Sequence, residues 1–262
     1  MNHEELAASL RKLRLGEISR IYAELARQAE QAKLTFEQYL ASLAEVELDG
    51  RRKKRVELFL AQAKIPIDKH IGTYDFRYRT GINEQQVRRL AEGDFVREGG
   101  NVVFYGTFGV GKSHLAMGLT RALCERGHRC LFTSTQTLIT ELLEAKNTLT
   151  LASLFRRLDR FDVITADELG YTPQSKDGAD LFFQLISQRY ERKSLIITTN
   201  LTYSEWDTVF LNALTTAAAV DRIIHHCETF NIQGPSWRAE TAARKVKPKV
   251  TSQTEQPTQK PH

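Results

Sequence analysis

Apolar positions recur at steps of three and four residues through LRKLRLGEISRIYAELARQAEQAKL (10–34) and LTFEQYLASLAEVELDGRRKKRVELFLAQAKI (34–65). That period predicts an entirely helical region over about the first 65 residues. Thr35 is placed to cap a helix, and Asp49-Gly50 ahead of a basic run predicts a break. Pro66 closes the region, and IPIDKHIGTYDF (65–76) reads as a linker. Beyond it the pattern changes. NVVFYG (101–106), HRCLFTST (128–135), DVITADE (162–168), SLIITTN (194–200) and CETFNIQG (227–234) are short apolar or β-branched runs. Helix-period segments such as SHLAMGLTRALCERG and GADLFFQLISQRYERK separate them. Strands alternating with helices predict an α/β fold, a parallel sheet covered on both faces. KVKPKVTSQTEQPTQKPH (245–262) is polar and proline-containing, and is expected to be disordered. The divisions expected are 1–68, 69–242 and a tail over 243–262.

Composition narrows the setting without choosing a chemistry. The 262 residues are 41% hydrophobic and 26% charged, with no apolar run long enough to span a bilayer, and MNHEELAASLRKL lacks signal-peptide order. Cys124, Cys130 and Cys227 show no metal-ligand spacing, so a reduced, cytoplasmic protein without a membrane partner is expected. The net charge of +5 permits an anionic partner.

The chemistry enters where the first apolar run ends. Gly106, Thr107, Phe108, Gly109, Val110, Gly111, Lys112 and Ser113 follow G-x-x-x-x-G-K-[ST], with His114 next in the ensuing helix. A triphosphate needs backbone N–H groups pressed close around its oxygens, and glycine allows that approach. The helix N-terminus adds positive potential. Lys112 is expected to reach the β/γ-phosphates of ATP, and Ser113 to ligate Mg²⁺. DVITADELGY carries Asp167 and Glu168 at a strand's C-terminal end, where open α/β sheets bind ligands. Asp167 is expected in the Mg²⁺ shell and Glu168 beside the attacking water. Asn200 ends the next strand within reach of the same chemistry. Arg222 and Arg238 can answer phosphate charge or stay solvated on the surface.

VVFYGTFGVGKSHLAMGL, ADELGYTP, FFQLISQRYERKSLIITTNLTYSEW and VDRIIHHCETFNIQGPSWR together resemble IstB, the ATP-binding helper of insertion sequences, and its AAA+ relative, the helicase loader DnaC. The likeness runs from about residue 35 to 240. ISQRYERKSLIITTN with LTYSEW is far more specific than a Walker motif and points to the IstB branch. The resemblance implies a helical N-terminal partner-binding domain before an AAA+ module with a parallel five-stranded sheet and a reduced lid. It implies that Asn200 is sensor I, Arg222 an arginine finger reaching a neighbouring subunit's nucleotide, and Arg238 sensor II. It also implies a homo-oligomer with ATP between subunits, assembled on duplex DNA and delivering it to a transposase; because such binding is mostly electrostatic, little base preference is expected. Thr165 and Ala166 stand where the family commonly has bulkier apolar residues, so a loosely packed strand is expected.

STQTLITELLEAKNTLTLASLFRRLDRF (134–161) reads as two helices between strands, and such extra structure faces the DNA path in the family. Lys146, Arg156, Arg157 and Lys176 are therefore DNA-contact candidates, with a solvated helix face as the alternative. The run Arg51–Arg55 can meet DNA, dock an acidic partner or keep a helix soluble. His225-His226 is expected to bind no metal, since adjacent helical residues point about a hundred degrees apart and no third ligand has a suitable spacing. Trp206 and Trp237 are expected as packing anchors. A replicative helicase loader and a small-molecule P-loop kinase remain as alternatives; Glu168 and the lack of an acceptor-binding lid disfavour the kinase.

Overall fold

The computed structural model describes residues 2–66, 68–77 and 79–237. Three helices open the chain: α1 (His3–Lys12), α2 (Gly16–Gln31) and α3 (Phe36–Ala63). The Thr35 side chain accepts from the Gln38 N–H, and the Gln38 side chain answers to the Thr35 N–H. Such a box satisfies donors that a helix start leaves orphaned. The break expected at Asp49-Gly50 is absent, and α3 runs through it unbroken. Packing explains the glycine. A Cβ there would stand 2.2 Å from Glu17 Cγ of α2. Glu17 in turn pairs with Lys54 at 2.8 Å, and buried Glu47 accepts the N–H groups of Glu17 and Ile18 and the Arg51 Nε–H. The two helices are thus joined by a polar seam at the start of α2, where its dipole favours a carboxylate.

All five expected strands form: β1 (Asn101–Gly106), β2 (Cys130–Ser134), β3 (Val163–Leu169), β4 (Ser194–Thr199) and β5 (Cys227–Ile232). They make one parallel sheet in the order β2-β3-β4-β1-β5. Alternation along β1 sends Val102 and Phe104 to one face and Val103 to the other, so each face has its own core. On the first face lie α4 (Glu84–Leu90), α5 (Asp94–Arg97) and α6 (Lys112–Glu125), joined by Ala63 of α3 with Phe59 and Leu60 alongside. On the second lie α7 (Thr135–Asn147), α8 (Leu151–Leu158), α9 (Lys176–Arg189), α10 (Asp207–Phe210) and α11 (Ala213–Ile224). The two helices expected over 134–161 are α7 and α8.

Three further details revise the sequence expectations. The segment after Pro66 is no free linker: Ile71 and Tyr74 are buried against the first core, and Thr80 bridges Gln233. Thr165 and Ala166 are fully buried, and β3 is not loosely packed. The Thr165 and Thr120 hydroxyls meet at 2.7 Å, and Thr120 donates on to Ala116 O. Thr165 must therefore be the donor between them, which ties β3 to α6 in place of apolar bulk. The run ISQRYERKS also gains a physical meaning. Arg189, 2% exposed, donates to the carbonyls of Leu158, Phe161, Asp162 and Ser194, stapling the α8–β3 connection to the start of β4.

Candidate active site

The loop after β1 folds because glycines stand where side chains cannot. At Gly106 (φ +144°) a Cβ would lie 2.0 Å from Ile232 O of β5, and at Gly111 (φ +96°) it would lie 2.6 Å from the Tyr74 ring. Gly111 precedes α6, whose first residues are Lys112, Ser113 and His114. Their N–H groups lack intrahelical partners and face the loop, the arrangement that holds phosphate. Lys112 is 6% exposed and donates from Nζ to Gly106 O and Thr107 O, both at 2.9 Å. A cavity of about 380 Å³ opens here, and Gly109, Val110, Gly111, Lys112, Ser113, His114 and Glu168 line it. Phe108 stands outside it, exposed and packed edge-to-face on Tyr171, which does line it.

The acidic pair arrives through an irregularity. The β3–β4 register shifts between Ala166 and Leu169, so Asp167 and Glu168 leave the ladder with β4, while Asp167 still pairs with Ser134 of β2. Asp167 is buried, Glu168 exposed, and Glu168 has φ +63°. A left-handed glutamate is costly and concentrates at functional sites. Thr198 holds the pair: its hydroxyl donates to Asp167 Oδ1 and accepts the Glu168 N–H at 2.9 Å. A glycine cradle, a buried lysine, and two hard oxygen donors in Ser113 and Asp167 suit a magnesium-bound triphosphate.

Several wall residues have no signal in a single sequence. Tyr74 comes from the supposed linker and Arg79 from just beyond it, and each donates to Val110 O, at 2.9 and 3.0 Å. Burial pushes the Tyr74 phenol up to about 12, so it stays a donor at neutral pH. Thr73 bonds His114 Nε2 at 2.9 Å. Trp237, expected as a packing anchor, is 45% exposed on the cavity wall; Trp206 is the buried one. Thr198 was hidden inside an ordinary strand run.

Other described sequence candidates lie outside the cavity lining. Asn200 follows β4, with its Oδ1 buried and unpartnered among the described residues. Arg222 donates to Ala218 O at 2.8 Å and lies 5.3 Å from the centre of the Phe183 ring. Arg238 lies outside the described residues, as does the tail. Lys146 pairs with Asp177 and Arg157 with Glu141, whereas Arg156 and Lys176 make no ion pair among the described residues.

The strand order, the loop after β1 and the acidic pair on β3 define a P-loop ATPase of the AAA+ class. The solved structures most like it in fold include the DnaC helicase loader (TM-score 0.55, 23% identity, covering 64% of this chain and 98% of that one). AMPPCP-bound DnaA from Aquifex aeolicus matches at TM-score 0.55 and 15% identity, covering 70% of this chain and 56% of that one. The family model described as IstB-like ATP binding protein matches residues 8–245, and the chain belongs to that family. An insertion sequence ATP-binding protein of Sinorhizobium fredii is 36% identical over 243 residues, 92% of this chain and 82% of its own. The ATP-binding protein of insertion sequence IS21 from Pseudomonas aeruginosa is 36% identical over 234 residues, 89% and 88% of the two chains. No described helix is long and apolar enough to cross a membrane.

Proposed function

We propose that this chain hydrolyses ATP at an interface between copies of itself, assembles on duplex DNA in the ATP-bound form, and delivers that DNA to the transposase of its own element. One observation carries the reading. A complete phosphate cradle, with Glu168 on its wall, lies in a chain 36% identical over most of its length to proteins named for insertion sequences. Within the site, backbone N–H groups at the start of α6 hold phosphate oxygens and Lys112 neutralises the β/γ end. Ser113 and Asp167 would hold Mg²⁺, which supplies charge neutralisation across the transferred phosphoryl group. Glu168 accepts the proton of the attacking water, and Asn200 orients that water. Arg222 from a neighbouring copy completes the charge, so turnover requires assembly. Arg238 supplies the sensor II contact.

Arg156 and Lys176 are the first choices for DNA phosphates, because Lys146 and Arg157 are shared with carboxylates. The 1–68 region is proposed as the transposase-docking part. Its support is a set of large apolar side chains of α3 left in solvent: Phe36 (94% exposed), Leu40 (66%) and Leu48 (66%). The test is electron microscopy and pull-down of the Glu168→Gln variant with ATP. Multimers on duplex DNA that capture the transposase are expected. Solitary particles, or preference for single strands at one fixed salt concentration, would overturn the reading.

A further inference from the structure

The end of the sheet opposite the phosphate cradle carries a cluster that the ATPase reading does not use. His225 and His226 follow α11, and Glu191 sits in the turn between α9 and β4. The expectation that no third ligand accompanies the histidines fails, because the fold supplies one from another segment. Glu191 Oε1 lies 3.5 Å from His225 Nδ1 and 3.6 Å from His226 Nε2. One ligand atom from each of the three residues falls within 4.8 Å of the others.

Tetrahedral zinc with bonds of about 2.0–2.1 Å separates its ligand atoms by roughly 3.3 Å, so a small adjustment closes this triad around one ion. The pair is also held in place by main chain. Asn101 N–H donates to His226 O at 2.7 Å. A Cβ on Gly99 (φ +68°) would stand 2.8 Å from the Glu191 carbonyl carbon, and one on Gly100 3.1 Å from His226 O. The Gly99-Gly100 turn before β1 thus packs against both ligand-bearing segments and fixes their spacing. All three side chains are about half exposed, which leaves an entry path and room for a water ligand.

We propose that Glu191, His225 and His226 form a surface site for a zinc-class divalent ion, with two imidazoles, one carboxylate and an open fourth position. Imidazole nitrogen selects zinc-like ions over magnesium, so the site and the nucleotide's magnesium do not compete. Tyr190 OH bonds His225 Nδ1 at 2.7 Å, and the ion takes the phenol's place there. Once filled, the site ties the end of α11, three residues beyond Arg222, to the α9–β4 turn.

The test titrates the full-length, nucleotide-free protein with Co²⁺ in excess Mg²⁺ and records its visible spectrum. One equivalent per chain is expected, with four- or five-coordinate d–d bands and no thiolate charge-transfer band. Zn²⁺ should displace it. Glu191→Gln, His225→Ala and His226→Ala should each weaken uptake roughly tenfold or more, with unchanged circular dichroism showing that each variant folds. His114→Ala and His70→Ala should leave uptake intact. A thiolate band, uptake that survives both His225→Ala and His226→Ala, or no uptake at micromolar Co²⁺ would overturn the site.

Discussion

Thr198 shows how much of a site rests on a residue with no catalytic look of its own. Its single hydroxyl satisfies a buried carboxylate and the N–H of a strained neighbour. Thr198→Val keeps the shape and removes both bonds, so about 1–3 kcal/mol of stability should be lost. Turnover should fall at least tenfold while ATP binding changes little, read by urea unfolding, nucleotide titration and single-turnover hydrolysis. His114 answers to pH. Burial, more than any neighbouring charge, holds its pKa below the usual 6.5. The unfolded chain therefore takes up that proton first, and stability is lost as pH falls below about 6.5. His128 shares the trend, again through burial. His114→Gln should make the loss between pH 7.5 and 5.5 shallower, measured by denaturant midpoints at both values. An equally steep loss in the variant would assign it elsewhere.

At the scale of elements, legibility followed periodicity. The five strands and the helices between them were readable because burial on both faces writes continuous apolar runs. The glycine loop and the acidic pair were readable because phosphate chemistry restricts residue type as well as spacing. What stayed hidden depends on partners far away in sequence. Tyr74 and Arg79 gain meaning only when Val110 O meets them, and Gly50 reads as a helix breaker until Glu17 is seen occupying its Cβ position. Gly50→Ala tests that account. Intrinsic propensity favours alanine by about 1 kcal/mol, yet the clash should win and loosen α2 from α3 by about 1–2 kcal/mol net. Limited proteolysis of α1 and α2 would register it as faster cleavage, and slower cleavage would show that Glu17 simply swings aside.

For the whole molecule, the decisive question is whether Arg222 serves its own chain or the next. It does not line its own chain's cavity. Arg222→Ala should therefore bind ATP normally while losing DNA-stimulated hydrolysis by roughly a thousandfold, measured as phosphate release with and without duplex. Full stimulation in the variant would remove it from the chemistry. The architecture also bears on how distant parts feel one another. Because no joint interrupts residues 36–63, α3 is one rod about 42 Å long. Its near half carries α2, and its far tip, Ala63, is wedged into the core beneath α6, the helix that begins with Lys112. A tug or twist on the first thirty residues has no hinge in which to dissipate. It arrives as a lever's displacement at the core shared with α6, beside the start of β2, where Arg129 Nε donates to Gln62 of the same rod.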